Sequence, residues 1–376
     1  MITPLIDAVS PTCGAKAATL AMLMRQGIPV PDGFVVHHDH EPLLDAVVGY
    51  LAALGSPVVA VRSSASNEDG AESSAAGQYD SFLGVHGNHA VVEAIRACRG
   101  SLGSARAASY WNHSSAPDAE MAVLVQRLID AEAAGVMFTP VHPNESIRIE
   151  ASWGLGSSVV DGAVTPDTYV IAPNGAITRS IGGKATRTDS RGGKLSTTSV
   201  ASEEQLIPAL SESAAAELGA LGIAVANVLG CAQDIEWAVD DDGKMWILQA
   251  RPITAALPPL RASAFGAERP GLVGTPGSAG IATGTPRILH GPSDFSRVRP
   301  GDILVCSFTD PAWTPLFRIA AGVITETGGA LSHAAIVARE HGIPAILGVA
   351  DATSRLRDAD SITIDGFTGH IAITSR

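Results

Sequence analysis

The spacing of apolar and polar positions divides the chain into many short elements separated by Gly- and Pro-rich turns. From Gly14, the segment GAKAATLAMLMRQG places Leu20, Leu23 and Met24 on one side of a predicted helix that Gly27 stops, with Lys16 in its first turn. IPVPDGFVV predicts a proline-braced turn into a strand; a short helical stretch follows, and residues 58–61 predict a second strand leading into Arg62. Lys16 and Arg62 are thus both placed at element ends, where long side chains reach a ligand, although either alone reads more readily as a solvated surface charge. Beyond Arg62 the stretch SSASNEDGAESSAAGQYDSFLGV is small and polar. It cannot build a core; it is either a surface loop or a loop whose backbone amides approach a polyphosphate closely. Residues 122–140 predict two strands around a small-residue turn, residues 147–151 a strand ending in the glycine-rich ASWGLGSS, and residues 211–229 an amphipathic helix.

The next stretch, QDIEWAVDDDGKMWILQARPIT, predicts a hairpin, because Asp242-Gly243 suits a two-residue loop with positive φ at both positions. Closing that loop on Asp241 and Lys244 pairs Val239 with Trp246, Glu236 with Gln249 and Asp234 with Arg251. Since side chains alternate between faces, Asp234, Glu236, Gln249 and Arg251 project from one side of the ribbon. Such a face is either a solvated sheet surface or a magnesium–nucleotide site, since carboxylate and amide oxygens are hard ligands and Arg neutralises phosphate.

TAALPPLRASAFGAERP, from Thr254 to Pro270, is Pro/Ala-rich and unpatterned, which predicts a linker. Short strands and glycine turns resume at Gly271, and SITIDGFTGHIAI predicts a terminal hairpin. Within this region GVITETGGALSHAAIVAREHGIPAILGV reads as a buried strand over residues 322–325, a turn at Thr327, Gly328 and Gly329, Ser332 as a helix cap, His333 in the first helical turn and Gly342 as the stop. Free backbone N–H groups and the positive end of the helix dipole favour an anion there. A phosphate carried on the imidazole would be stabilised, although a lone histidine in a small-residue segment is more often structural.

The chain has 376 residues, enough for about two to three domains, and its 46% apolar content fits a globular protein. A formal charge of −13 argues against a general binder of nucleic acid or anionic membranes, so positive charge for phosphates must be local. Cys13, Cys98, Cys231 and Cys306 form no CxxC pair and no zinc spacing, which suits a reducing cytosol. The N-terminus lacks the pattern of a signal peptide, and no apolar run approaches about 18 residues, so a soluble, cytoplasmic protein is expected. Gly183-Lys184 and Gly193-Lys194 resemble P-loop endings but lack the following Ser or Thr, and GLGSSV at residues 154–159 lacks the third glycine of a dinucleotide fingerprint. Of the remaining features, His37, His38 and His40 read as an exposed loop and Cys13 as a small buried residue.

Together, the Lys16 segment, VRSSAS, AGVMFTP, EASWGLGSSVVDGAVTPDTYVI, DIEWAVDDDGKMWILQARPIT and TGGALSHAAIVAREHGIPAILGV, in that order, resemble the dikinase superfamily of phosphoenolpyruvate synthases, pyruvate phosphate dikinases and rifampin-type phosphotransferases. The resemblance implies an α/β fold: an ATP-grasp nucleotide-binding domain over residues 1–254, a linker over 255–270 and a small swivelling phosphohistidine domain over 271–376. It implies that ATP passes phosphate to His333 with release of AMP and inorganic phosphate. Lys16, Arg62, Gln78, Glu236, Gln249 and Arg251 would bind ATP, with Lys16, Arg62 and Arg251 on phosphates and Glu236 and Gln249 holding Mg²⁺.

Several features depart from the family pattern. The stretch between Val36 and Val58 is short, Leu331 stands where many dikinases carry Thr, and DPAWTPLF looks more like the antibiotic phosphotransferase branch. Neither a pyruvate-binding barrel nor an antibiotic-binding domain is recognisable. The expected acceptor is a small molecule bound between the domains; a separate acceptor subunit and a non-catalytic phosphocarrier remain alternatives.

Overall fold

The structure is a computed structural model, and it describes residues 1–39, 44–66, 68, 79–104, 120–255, 257, 271–358 and 360–375. The first sheet is antiparallel, in the order β1 (Ile2–Pro4), β2 (Gly33–Val36), β5 (Met121–Arg127), β3 (Val59–Ala65), β4 (Ser81–Val85). A second antiparallel sheet gathers β6 (Ala131–Phe138), β7 (Ile147–Trp153), β8 (Asp167–Ile171), β9 (Ile177–Ser180), β12 (Gln233–Asp240) and β13 (Met245–Pro252), and β10 (Thr186–Arg191) and β11 (Lys194–Ser199) form a separate ribbon. The helix Ser10–Arg25 buries Ala17, Leu20, Ala21 and Leu23 in a core shared by both sheets, where Val35 and Leu124 of the first meet Ile235 and Trp237 of the second. On the other side of the first sheet, helices Leu44–Ala53 and Asn88–Gly100 bury Val47, Leu51, Val91 and Ile95.

The remaining strands, in the C-terminal part, make two sheets of their own. One is a mainly parallel sheet in the order β15 (Thr275–Ser278), β20 (Ala345–Leu347), β19 (Gly322–Thr325), β18 (Ile303–Cys306), β17 (Pro286–Ile288). The other is antiparallel, in the order β14 (Leu272–Val273), β22 (His370–Ser375), β21 (Ser361–Asp365), β16 (Ile281–Gly284). The helix His333–His341 leaves the loop after β19 and is stopped by Gly342 in the left-handed region, as the sequence predicts.

Local chemistry explains where the sequence-based expectations fail. Arg62 lies inside β3 rather than at a strand end, because pairing with β5 continues through Ala65. The small residues of AEAAG are not a turn but part of β6. A Cβ on Gly135 would lie 1.8 Å from the Glu150 carbonyl oxygen of β7, so close backbone approach requires glycine there. Ser332 sits at the cap position, but its hydroxyl donates to Gly329 O at 2.8 Å instead of capping the helix. His37 is buried against Thr3 and His38 pairs with Glu120, in place of an exposed loop, while His40 lies outside the described residues.

The hairpin also differs at its tip. Asp240 closes on Lys244, with Gly243 at φ +79, giving a three-residue loop, and Val239 therefore pairs with Met245 and Ala238 with Trp246. A bulge that leaves Leu248 unopposed then restores the expected pairs Glu236–Gln249 and Asp234–Arg251. The two one-residue offsets cancel before the polar face is reached.

The helix Glu212–Leu229, N-capped by Ser211, is long and apolar enough by composition to pass for a membrane span, with mean hydropathy 1.3 over 18 residues, contrary to the expectation that none would come close. Its small-residue face lies on the second sheet, where a Cβ on Gly219 would meet Ile171 at 2.6 Å and one on Gly222 would meet Met137 at 2.4 Å.

Candidate active site

Gly14 fixes the first side chain of the site. With φ +75 it breaks the helix Ser10–Arg25, and a Cβ there would lie 1.8 Å from Ser64 O of β3. Ser64 Oγ donates to Cys13 O at 2.6 Å and accepts from Ala17 N at 3.1 Å, pinning the start of the following helical turn to the strand that carries Arg62. Lys16 Nζ is thereby held 2.9 Å from Glu68 Oε1, which also accepts from Ser63 Oγ. Across the cleft, Arg62 Nη1 donates to Glu236 Oε2 at 3.2 Å, and Arg251 donates through Nε and Nη2 to Asp234 Oδ2 at 2.9 and 2.7 Å.

These groups face one cavity of about 360 Å³, lined by Lys16, Arg62, Glu236, Gln249, Arg251 and His333. The lining also includes apolar Ala60, Leu128, Ile129, Ala131, Ala134 and Leu248. Gln78 lies outside the described residues.

His333 enters from the C-terminal part and is only 5% exposed. Its Nδ1 lies 3.2 Å from Thr309 Oγ1, and its Nε2 has no hydrogen-bond partner among the described residues. Burial, helped by the Arg251 charge, pushes its pKa down to about 4, so the docked imidazole is neutral. Every sequence-predicted site residue that the structure describes therefore meets at one cavity.

Glu68 and Thr309 are functional neighbours that sequence reasoning missed. Each reaches its partner across a long separation, 52 residues for Lys16–Glu68 and 24 for Thr309–His333, for which local pattern carries no signal. Glu68 stands in a polar loop read only for its backbone, and Thr309 immediately precedes the DPAW motif.

Residues 40–258, more than half of the chain, match the family described as pyruvate phosphate dikinase, AMP/ATP-binding domain. The chain belongs to this family. Residues 298–369 match the PEP-utilising enzyme mobile domain, so the AMP/ATP-binding domain is followed by the mobile domain that carries His333. A probable phosphoenolpyruvate synthase from Methanothermobacter thermautotrophicus is 38% identical over 318 residues, covering 83% of this chain and 46% of that protein. A second, from Archaeoglobus fulgidus, is 35% identical, covering 96% and 56%, and the phosphoenolpyruvate synthase of Escherichia coli is 36% identical, covering 83% and 43%. The chain thus spans about half the length of the curated relatives it matches.

Proposed function

We propose that this dikinase-family chain is an ATP-dependent phosphotransferase that charges His333 from ATP, with residues 1–254 as nucleotide domain, 255–270 as linker and 271–376 as the swivelling carrier. The observation that carries the reading is His333, whose Nε2 is buried and unpartnered among the described residues, lining the same cavity as Lys16, Arg62, Glu236, Gln249 and Arg251.

In this reading Thr309 Oγ1 accepts the Nδ1 proton, which leaves the lone pair on Nε2. Nε2 attacks the β-phosphorus of ATP, the bond from that phosphorus to the α–β bridging oxygen breaks, and AMP leaves with the electron pair. Water then removes the terminal phosphoryl group as inorganic phosphate, and His333 keeps one phosphoryl group for the acceptor. Lys16, Arg62 and Arg251 offset the charge on the transferring oxygens, and the Arg62 Nε, buried without a partner among the described residues, is a donor suited to that task. The side-by-side Glu236 carboxylate and Gln249 amide fit Mg²⁺, which when bound would spread the phosphoryl charge.

The second half-reaction goes to a small molecule; the name shared by the relatives makes pyruvate the first acceptor to try.

Incubation with Mg-ATP should yield AMP, phosphate and an acid-labile phosphoryl group on the chain. Formation of ADP alone would overturn the dikinase reading. Replacing Glu236 with Gln should raise the Mg²⁺ needed for half-maximal labelling about tenfold or more. An unchanged magnesium requirement in that titration removes Glu236 as a ligand. The labelling rate at saturating Mg-ATP should hold from neutral pH downward and fall only between 6.5 and about 4, because the reacting imidazole is neutral while docked. A limb centred at or above 6.5 in the pH–rate profile contradicts burial of His333 in the reacting state.

A further inference from the structure

The peptide bond joining Ala330 to Leu331, just before His333, is held at both of its polar ends. Its carbonyl oxygen accepts from Arg339 Nη1 at 2.8 Å, and the same nitrogen donates to Gly277 O at 2.7 Å. Its N–H donates to Glu150 Oε2 at 3.1 Å. Arg339 and Gly277 belong to the same part of the chain as His333, whereas Glu150 stands on β7 of the nucleotide domain. One arm of this grip therefore travels with the histidine loop, and the other engages only when the two domains meet.

The surroundings are built for that contact. A Cβ on Gly329 would lie 2.2 Å from Glu150 Oε2, so glycine is what lets the loop reach the carboxylate. The Leu331 side chain, 1% exposed, fills an apolar socket made by Val136, Phe138, Val159 and Val164 of the nucleotide domain. Thr327 Oγ1 donates to Gly162 O at 2.6 Å and Gly328 N to Val164 O at 3.2 Å, extending the contact along the loop. Burial pushes the Glu150 carboxyl up and the Arg339 guanidinium down to about 10, and the charge of each partly offsets the shift of the other. Glu150 Oε1 and Arg339 Nε and Nη2 have no hydrogen-bond partner among the described residues, so desolvation opposes the attraction.

We propose that Glu150 and Arg339 are positioning residues that grip the Ala330–Leu331 peptide from the two domains and thereby set the reach of His333 Nε2 into the nucleotide cavity. This rests on the proposed charging of His333 by ATP. Neither side chain lines the cavity, so neither is expected to bind nucleotide directly.

The test follows three quantities in the wild type, Glu150→Ala, Glu150→Gln and Arg339→Lys: the single-turnover rate of His333 labelling, the equilibrium affinity for ATP, and the distance between spin labels on the two domains. Exposed Glu217 and Ser354 serve as label sites after conversion to Cys in a Cys231→Ser background, since the other three cysteines are buried. Glu150→Ala should slow labelling on the order of a hundredfold, the scale of a misplaced reacting group, and shift the label distance toward an undocked population. ATP affinity should stay within about twofold, because the nucleotide contacts are untouched. Glu150→Gln, which keeps an oxygen acceptor, should recover part of the rate, and Arg339→Lys should fall between wild type and Glu150→Ala. A labelling rate and a distance distribution both unchanged in Glu150→Ala overturn the proposal, as does a loss of ATP affinity and thermal stability that parallels the loss of rate. Should the wild type itself fail to label, the charging reaction fails, and the distance distribution of Glu150→Ala alone decides the grip.

Discussion

Replacing His333 with alanine should abolish ATP-dependent labelling of the chain, a fall of more than about a thousandfold, while the protein remains folded. The side chain makes one hydrogen bond, between Nδ1 and Thr309 Oγ1, and its Nε2 has no partner among the described residues, so its removal should cost about 1–3 kcal/mol of stability, the scale of leaving the buried Thr309 hydroxyl unpaired. The chemical character of the label adds a second check. A phosphoryl group on imidazole nitrogen is lost in acid and kept in base, whereas one on the hydroxyl of Ser157 or Tyr79, which also line the cavity, survives acid. Labelling that persists in His333→Ala, or an acid-stable product in the wild type, would falsify the assignment of the nucleophile.

Lys184→Met should produce the opposite outcome, severe destabilisation with the chemistry of the surviving folded protein intact. Lys184 and Asp167 form an ion pair with both side chains fully buried, and Lys184 Nζ also donates to Gln205 O at 2.7 Å and Gly182 O at 3.3 Å. Asp167 in turn accepts from Gly182 N at 2.8 Å and Ala209 N at 2.7 Å, so the pair joins the loop at residues 182–184, the end of the helix Ser202–Gln205 and Ala209 to β8. Removing the cation leaves a carboxylate buried without its counter-charge, for which about 3–5 kcal/mol is expected. Urea unfolding should show this as a lower midpoint, and a loss under about 1 kcal/mol would mean that the segments are held by other contacts. Labelling per folded molecule should be unchanged, because Lys184 does not line the nucleotide cavity despite the Gly183-Lys184 dipeptide.

Legibility in the sequence follows the range of the interaction. The helix His333–His341, its glycine stop and the terminal hairpin β21–β22 are local patterns, and they stand where the sequence places them. The cluster of Lys16, Arg62, Glu236, Gln249, Arg251 and His333 becomes legible through the resemblance, which supplies the long-range order that periodicity lacks. Glu150 shows where that stops. Its partner Leu331 lies 181 residues away, and the contact is to a backbone amide, so side-chain type at either position carries no trace of it. Arg62 illustrates a different gap, since strand length depends on the pairing partner as well as on the strand's own residues.

The bulge at Leu248 has a practical consequence for protein engineering. Pairing next to Glu236 and Gln249 is reset within β13, so their geometry does not depend on how the tip at residues 241–243 is closed. The tip is exposed and projects from the sheet, which makes it a graft point where a reporter or affinity tag lengthens only the loop and leaves the nucleotide site in register.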